Sequence, residues 1–423
     1  MVSSISNSDG IAAVANSDGM AAVANSDGIA AVASFDGAAV APDVLGPDPS
    51  QRPQSAVSTA DSESSYGTGL SRPVPDQPWP KLMLAVLFST FALVLGWEIA
   101  MRNFGLAAGD LDDDRDYWVE QRRRLDKLPA DQVVIIGDSR VLFGTELSKW
   151  QELTGRKPLQ LALPATSAQP FLHDLANDER FAGLVVVGIS ESSYFSDELG
   201  RRVSVLKYID HQSPSQWSGH LLYKAASRDL AFLDSNYTLF KLLERADWPQ
   251  RPGVPPLEVW KIAESYDDRQ MYLWNRVATD KRLNEHARYV WSQYWEGDPV
   301  TKDVVDRVIA KTKPDVDRIR ARGGEVVWLR TPSAGHLLDV ERVRWPRASG
   351  WDRLMRETDS FGIHFEDYSQ MQNLEIPEWS HLSQAGAQVY TDAYVKVLLD
   401  RSEWLKTHSK GWREEGRRKP GDG

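Results

Sequence analysis

Three side chains in this sequence stand where acyl chemistry could be done: Ser139 in "VVIIGDSR" (133–140), and Glu378 and His381 in "PEWSHLSQAGAQVYTDAYVKVLL" (377–399). Ser139 follows four consecutive apolar residues and Gly137, which reads as a buried strand ending in an abrupt turn. Behind it, Val141, Leu142, Leu147 and Trp150 have helical spacing. A hydroxyl at a helix start lies beside unpaired backbone N–H groups that stabilise developing negative charge. The same position suits an ordinary N-cap serine, and this motif alone leaves both roles open.

Glu378 precedes His381 by three residues, and a helix is expected to begin around Leu382 to Gln384 with Ser383 or Ser380 as its cap. A turn can bring that carboxylate back to the imidazole, holding the tautomer whose other nitrogen faces a nucleophile. His364 and Asp367 in "GIHFEDY" form a rival pair, although strand alternation can equally place His364 in the core. The eight histidines form no HExxH or similar ligand set, and the chain has no cysteine, so neither metal chemistry nor a thiol nucleophile is expected.

Elements able to position these groups begin at about Asp131. Apolar runs at 132–139, 157–164, 183–190, 325–332 and 361–368 alternate with helical patterns. That alternation predicts an α/β fold with a parallel sheet of about five strands, covered on both faces, and a ligand site beyond the carboxyl ends of the strands. Residues 197–322 are too long for one crossover and read as a helical insertion rich in aromatics. Its tryptophans can stack on sugar rings or fill a core.

The chain ahead of this domain is of another kind. Residues 1–80 combine four nonapeptide repeats, with Asp9, Asp18, Asp27 and Asp36 in register, and a Pro-rich stretch over 41–80, and they read as a disordered tail. One aspartate per repeat is thin for calcium. Residues 82–101 carry a single charge, Glu98, and are long enough to cross about 30 Å of hydrocarbon. Basic residues on the two sides balance, and the aspartates at 110–116 do not oppose export, so orientation is read with the short tail inside and the large domain outside, extracytoplasmic or periplasmic. Residues 102–130 read as a juxtamembrane linker or helix, 131–405 as the main domain and 406–423 as a disordered tail. The net charge of -11, with dispersed basic residues, excludes a nucleic-acid partner.

"IIGDSR" and "EWSHLSQAGA" together resemble the nucleophile and last blocks of the SGNH/GDSL hydrolases, over roughly residues 130–400 apart from the insertion. The resemblance implies a flavodoxin-like three-layer fold, Ser139 as nucleophile, His381 as general base, and Glu378 where an aspartate is usual. It implies oxyanion donors at the N–H groups of Ser139 and Ala165, where a glycine is usual, and at Ser190, where an asparagine is usual. Asp138 is read as shaping the turn.

One membrane helix before such a domain is similar to membrane-attached proteins that move or remove acetyl groups on exported polysaccharides. "VWLRTPSAG" (327–335) is similar to an Arg-Pro stretch of those proteins, which implies Arg330 as a substrate-binding residue; a salt-bridging arginine is the alternative. The expected function is a serine esterase or O-acetyltransferase acting on a polysaccharide ester, with no cofactor, the membrane as one partner and a membrane acyltransferase as a possible second. The alternatives are a catalytically weakened glycan-binding or assembly protein and an envelope anchor whose repetitive tail makes the interaction.

Overall fold

The computed structural model describes residues 77–246, 259–293 and 296–415 of the 423-residue chain. The nonapeptide repeats lie outside them, as do the Pro-rich stretch up to residue 76 and the tail after Glu415. The chain divides into two compact units, one with described residues 77–100 and one beginning at Met101.

Helix α1, Trp79–Phe104, has 26 residues, against the 20 expected over 82–101, and is about 39 Å long at 1.5 Å per residue. It is long and apolar enough to cross a membrane, and only 6% of its most apolar window is buried. Helix α2, Arg115–Leu125, follows, capped by the Asp114 carboxylate on the Tyr117 N–H at 2.9 Å.

In chain order the strands are β1 (Val133–Ile136), β2 (Leu159–Gln160), β3 (Leu184–Ile189), β4 (Ala263–Ser265), β5 (Met271–Leu273), β6 (Glu325–Arg330) and β7 (Gly362–His364). Five of them form a parallel sheet in the order β2-β1-β3-β6-β7. The expected α/β fold with a flavodoxin-like strand order is therefore present. Each expected run contributes a strand, because β1, β3 and most of β6 are buried on both faces.

The connecting helices are α3 (Ser139–Gly144) and α4 (Leu147–Thr154) after β1, α5 (Gln169–Asn177) after β2, α6 (Pro214–Ser227), α7 (Leu239–Ala246) and α8 (Lys281–Ser292) in the insertion, and α9 (Lys302–Ala321) before β6. Helix α9 buries Val305, Val308, Ile309, Thr312, Val316 and Ile319, a stripe of helical period against the sheet. Helices α10 (Gly335–Arg344) and α11 (Trp351–Glu357) lead to β7, and α12 (Gln384–Arg401) and α13 (Glu403–Glu415) close the chain.

Three details go beyond the sequence reading. The helical insertion also carries a hairpin: β4 and β5 pair antiparallel within it, and at three residues each they are too short for an alternation pattern to reveal. The span after Ser139 breaks into two helices at Thr145–Glu146. Residues 406–415, read as disordered, continue α13, whose Trp404 and Leu405 are buried.

The acidic stretch 110–116, read as part of a juxtamembrane linker or helix, is built into the large unit. Arg269, fully buried, forks onto Asp113 at 2.7 and 2.8 Å and donates to the carbonyls of Gln160 and Ala162. Lys261 bridges Asp110 and Asp234, the latter at 2.6 Å. Burial pushes the Asp112 carboxyl up to about 7, despite the Ser235 hydroxyl at 2.6 Å. Between its ordinary value and about 7 the folded protein holds a proton that the unfolded chain has lost. Stability therefore falls as pH rises across that window and levels off above it. Asp112→Asn removes this contribution, and we expect its urea midpoint to exceed the wild type's most above pH 7, with the gap narrowing towards pH 4.

Candidate active site

The sheet order reverses between β1 and β3, so the crevice of this topology opens at their carboxyl ends. Two glycines allow the backbones to close there. A Cβ on Gly137, at φ +147°, would stand 2.6 Å from the Gly188 carbonyl, and one on Gly188 would collide with Val141. Asp138 then caps α3, accepting from the Arg140 N–H at 3.0 Å, and Ser139 is the first residue of the helix. The cap is Asp138, so the N-cap role considered for Ser139 is filled by its neighbour.

Ser139 and Phe143 are four residues apart and share a face of α3. The imidazole of His381 packs on Phe143 with ring centroids 4.4 Å apart, and Arg140 Nε lies 3.4 Å from Ser380 Oγ. The turn carrying His381 is thus seated against the helix that begins at Ser139. Glu378 is fully buried, and its Oε1 lies 3.2 Å from His381 Nδ1. The same carboxylate accepts from the N–H groups of His381 and Ser380 and from Trp291 Nε1. The Nδ1 contact is close enough for an ion pair but is not aligned as a hydrogen bond, and among the described residues neither buried imidazole nitrogen has a hydrogen-bond partner. Catalytic hydrogen bonds commonly tighten only when substrate is bound, so this geometry leaves the pairing available.

Ser383 caps α12 on the Gly386 N–H at 3.1 Å, which fixes where the His381 turn ends. Inside the turn, Trp379 adopts φ +75°, strained for a large side chain, with its ring against Gly335 and under the Arg288 guanidinium.

The oxyanion candidates differ among themselves. Among the described residues, neither the Ser139 nor the Ala165 N–H donates to another group. Ala165 holds φ +50°, the left-handed conformation that glycine adopts without strain. Ala165→Gly is expected to raise stability by about 1 kcal/mol, read from the urea midpoint. Ser190 is engaged elsewhere. Its hydroxyl and N–H both donate to Asp138 Oδ2, which also takes the Ser193 hydroxyl at 2.6 Å.

Arg330 is 2% exposed, and its guanidinium is held by protein groups. It donates to Glu191 and Glu341, both at 2.6 Å, to the Thr331 carbonyl, and to Ser333 at 3.4 Å. Glu341 also pairs with Arg140, so two arginines and two carboxylates form one buried network joining the residue after Ser139 to the ends of β3 and β6. Burial alone would raise Glu341, but Arg140 and Arg330 hold it well below the usual carboxylate range, while burial keeps Glu191 above it.

The rival pair does not form: Asp367 is bound by Arg347 at 2.6 and 2.7 Å, and His364 Nδ1 accepts from the Glu366 N–H. Burial, with Arg330 nearby, pushes His364 down to about 2, so it is a neutral core imidazole. Trp274 and Trp291, two of the insertion's tryptophans, are buried rather than displayed for stacking. No group of three or more His, Asp or Glu residues able to hold a metal occurs among the described residues.

Sequence reasoning missed Trp291, Arg140 and Glu341 as members of this constellation, and read Glu191 only as the neighbour of Ser190 at the oxyanion position. The first lies in the insertion, 87 positions from its partner Glu378. No local pattern signals such a pairing. No protein-family model matches the chain, and no curated protein matches it.

Proposed function

We propose that this protein is a membrane-anchored serine acyl-ester enzyme of the SGNH kind, an esterase or O-acetyltransferase acting on acetyl esters of an exported polysaccharide. One observation carries the reading: a fully buried Glu378 lies 3.2 Å from His381 Nδ1, and that imidazole packs on Phe143, one turn along α3 from Ser139. A buried carboxylate so placed fixes the tautomer and supports the imidazolium that forms when Ser139 loses its proton.

In the reaction, Ser139 Oγ attacks the ester carbonyl as its proton passes to His381 Nε2. The N–H groups of Ser139 and Ala165 hold the oxyanion. Collapse breaks the bond to the leaving oxygen, which takes the proton from Nε2 and leaves an acyl-serine. Water or a sugar hydroxyl then attacks the acyl carbon and gives its proton to Nε2, and the proton returns to Ser139 as the serine is released. Water as acceptor makes an esterase, and a sugar hydroxyl makes a transferase. The transferase version calls for an acyl donor, which a membrane acyltransferase partner would supply. With α1 as anchor, the large unit is extracytoplasmic.

The second reading, a weakened SGNH-like domain that binds a glycan or organises an assembly, is favoured by Ser190: its hydroxyl serves Asp138, so the third oxyanion donor is spent. Acid quenching of the full-length protein during turnover of p-nitrophenyl acetate, followed by peptide mass analysis, separates the two. Acetyl on the peptide containing Ser139 is expected; no adduct there, or an equal one in His381→Ala, favours the binding role.

A further inference from the structure

Helix α7 leaves an apolar face open. Leu239, Phe240 and Leu243 are 59%, 86% and 56% exposed, and Phe240 is more exposed than any large apolar residue of α1. At 100° per residue the three fall within an arc of about 100°, the stripe that a surface helix normally turns towards a core. Among the described residues the stripe has no protein partner of comparable extent.

Its position says what covers it. The last turn of α1, Met101–Phe104, belongs to the large unit. There the Phe104 ring packs on Tyr237 at 4.9 Å and on Trp274 at 6.3 Å, and Tyr237 and Trp274 meet at 6.1 Å. Arg276 donates to the Phe104 carbonyl at 2.9 Å and lies over its ring, and Arg102 donates to the Asp229 carbonyl at 2.8 Å. Tyr237 and Trp274 are buried, so this cluster seats the end of α1 in the large unit, while the partly exposed Phe104 with Arg102 and Arg276 is the aromatic and basic composition found where a chain leaves hydrocarbon for water. Tyr237 is two residues before Leu239, so the start of α7 lies within about 7 Å of that aromatic cluster along the chain.

We propose that α7 lies in the lipid interface, with Leu239, Phe240 and Leu243 inserted at the boundary between headgroups and acyl chains, beside the point where α1 emerges. The proposal rests on reading α1 as a membrane anchor. A short amphipathic helix of this kind binds weakly alone, but an anchor in the same chain keeps it close to the membrane, so little further affinity is needed. The effect is to give the large unit a second point of attachment, so that it does not swivel about α1.

The absence of cysteine makes single labels simple. The full chain carrying Phe240→Cys, Leu243→Cys, Phe91→Cys or Glu403→Cys is labelled with an environment-sensitive NBD dye and reconstituted in phosphatidylcholine–phosphatidylglycerol vesicles. Quenching by doxyl-labelled lipid is then compared with quenching by iodide. Labels at 240 and 243 are expected to be quenched by doxyl lipid and shielded from iodide, like the label at 91 within α1, whereas that at 403 reports water. Iodide access at 240 and 243 equal to that at 403, with position 91 still quenched by lipid, overturns the proposal and leaves the anchor standing. Shielding at 240 from both quenchers also overturns it, because a second copy or another protein then covers the face. Loss of lipid quenching at 91 removes the anchor and the proposal together.

Discussion

Ser139→Ala is expected to abolish ester cleavage, lowering kcat for p-nitrophenyl acetate on the order of 10⁴- to 10⁶-fold. The magnitude follows from the division of labour. Without the hydroxyl no acyl-serine forms, while the unpaired N–H groups of residues 139 and 165 remain to polarise a carbonyl and give a small residual rate. The variant should fold normally, because no hydrogen bond of the Ser139 side chain occurs among the described residues and Asp138 caps the helix without it. Activity is read together with the urea midpoint. An unchanged midpoint with activity at background identifies the nucleophile, whereas undiminished activity in a folded variant eliminates the acyl-serine mechanism.

Arg330→Met is expected to cost about 3–5 kcal/mol of stability, because it strands the buried Glu191 carboxylate and takes from Glu341 one of its two arginines. That is a large share of the 5–15 kcal/mol typical of a domain. Activity should fall with it, since Glu341 also holds Arg140, the residue following Ser139. The destabilisation should shrink when Glu191→Gln is added, because the carboxylate with the raised pKa is the one most readily made neutral. Urea unfolding of the two variants measures both effects. A stable Arg330→Met protein with a raised KM would instead restore the substrate-binding role that the sequence suggested.

The two substitutions probe parts of the site that were unequally visible in the sequence. Ser139, Glu378 and His381 stand out because each lies beside a strand end or a helix start, features that announce themselves within a few residues. Arg330 is equally conspicuous at the end of β6, yet its role depends on Glu191 at the end of β3 and Glu341 on α10. Ser190 is similar: its place after β3 was legible, but the hydrogen bond that occupies it comes from Asp138 after β1. The β4–β5 hairpin escaped because three-residue strands carry no usable period. The aspartates of 110–116 escaped because their partners, Lys261, Arg269 and Ser235, are more than 100 positions away.

By itself the sequence determined the apolar runs that become the parallel sheet, the turns after β1 and β3, and a helix apolar enough for a bilayer. All of these are local consequences of hydrophobic period and of Gly, Ser and Asp at strand ends. Only the tertiary structure decided which histidine receives a carboxylate, which arginine is spent on internal charges and which acidic residues are buried. Those outcomes depend on desolvation: once packing removes water from a charge, the charge must take whatever partner the fold brings within reach. Distance along the chain carries no information about that partner.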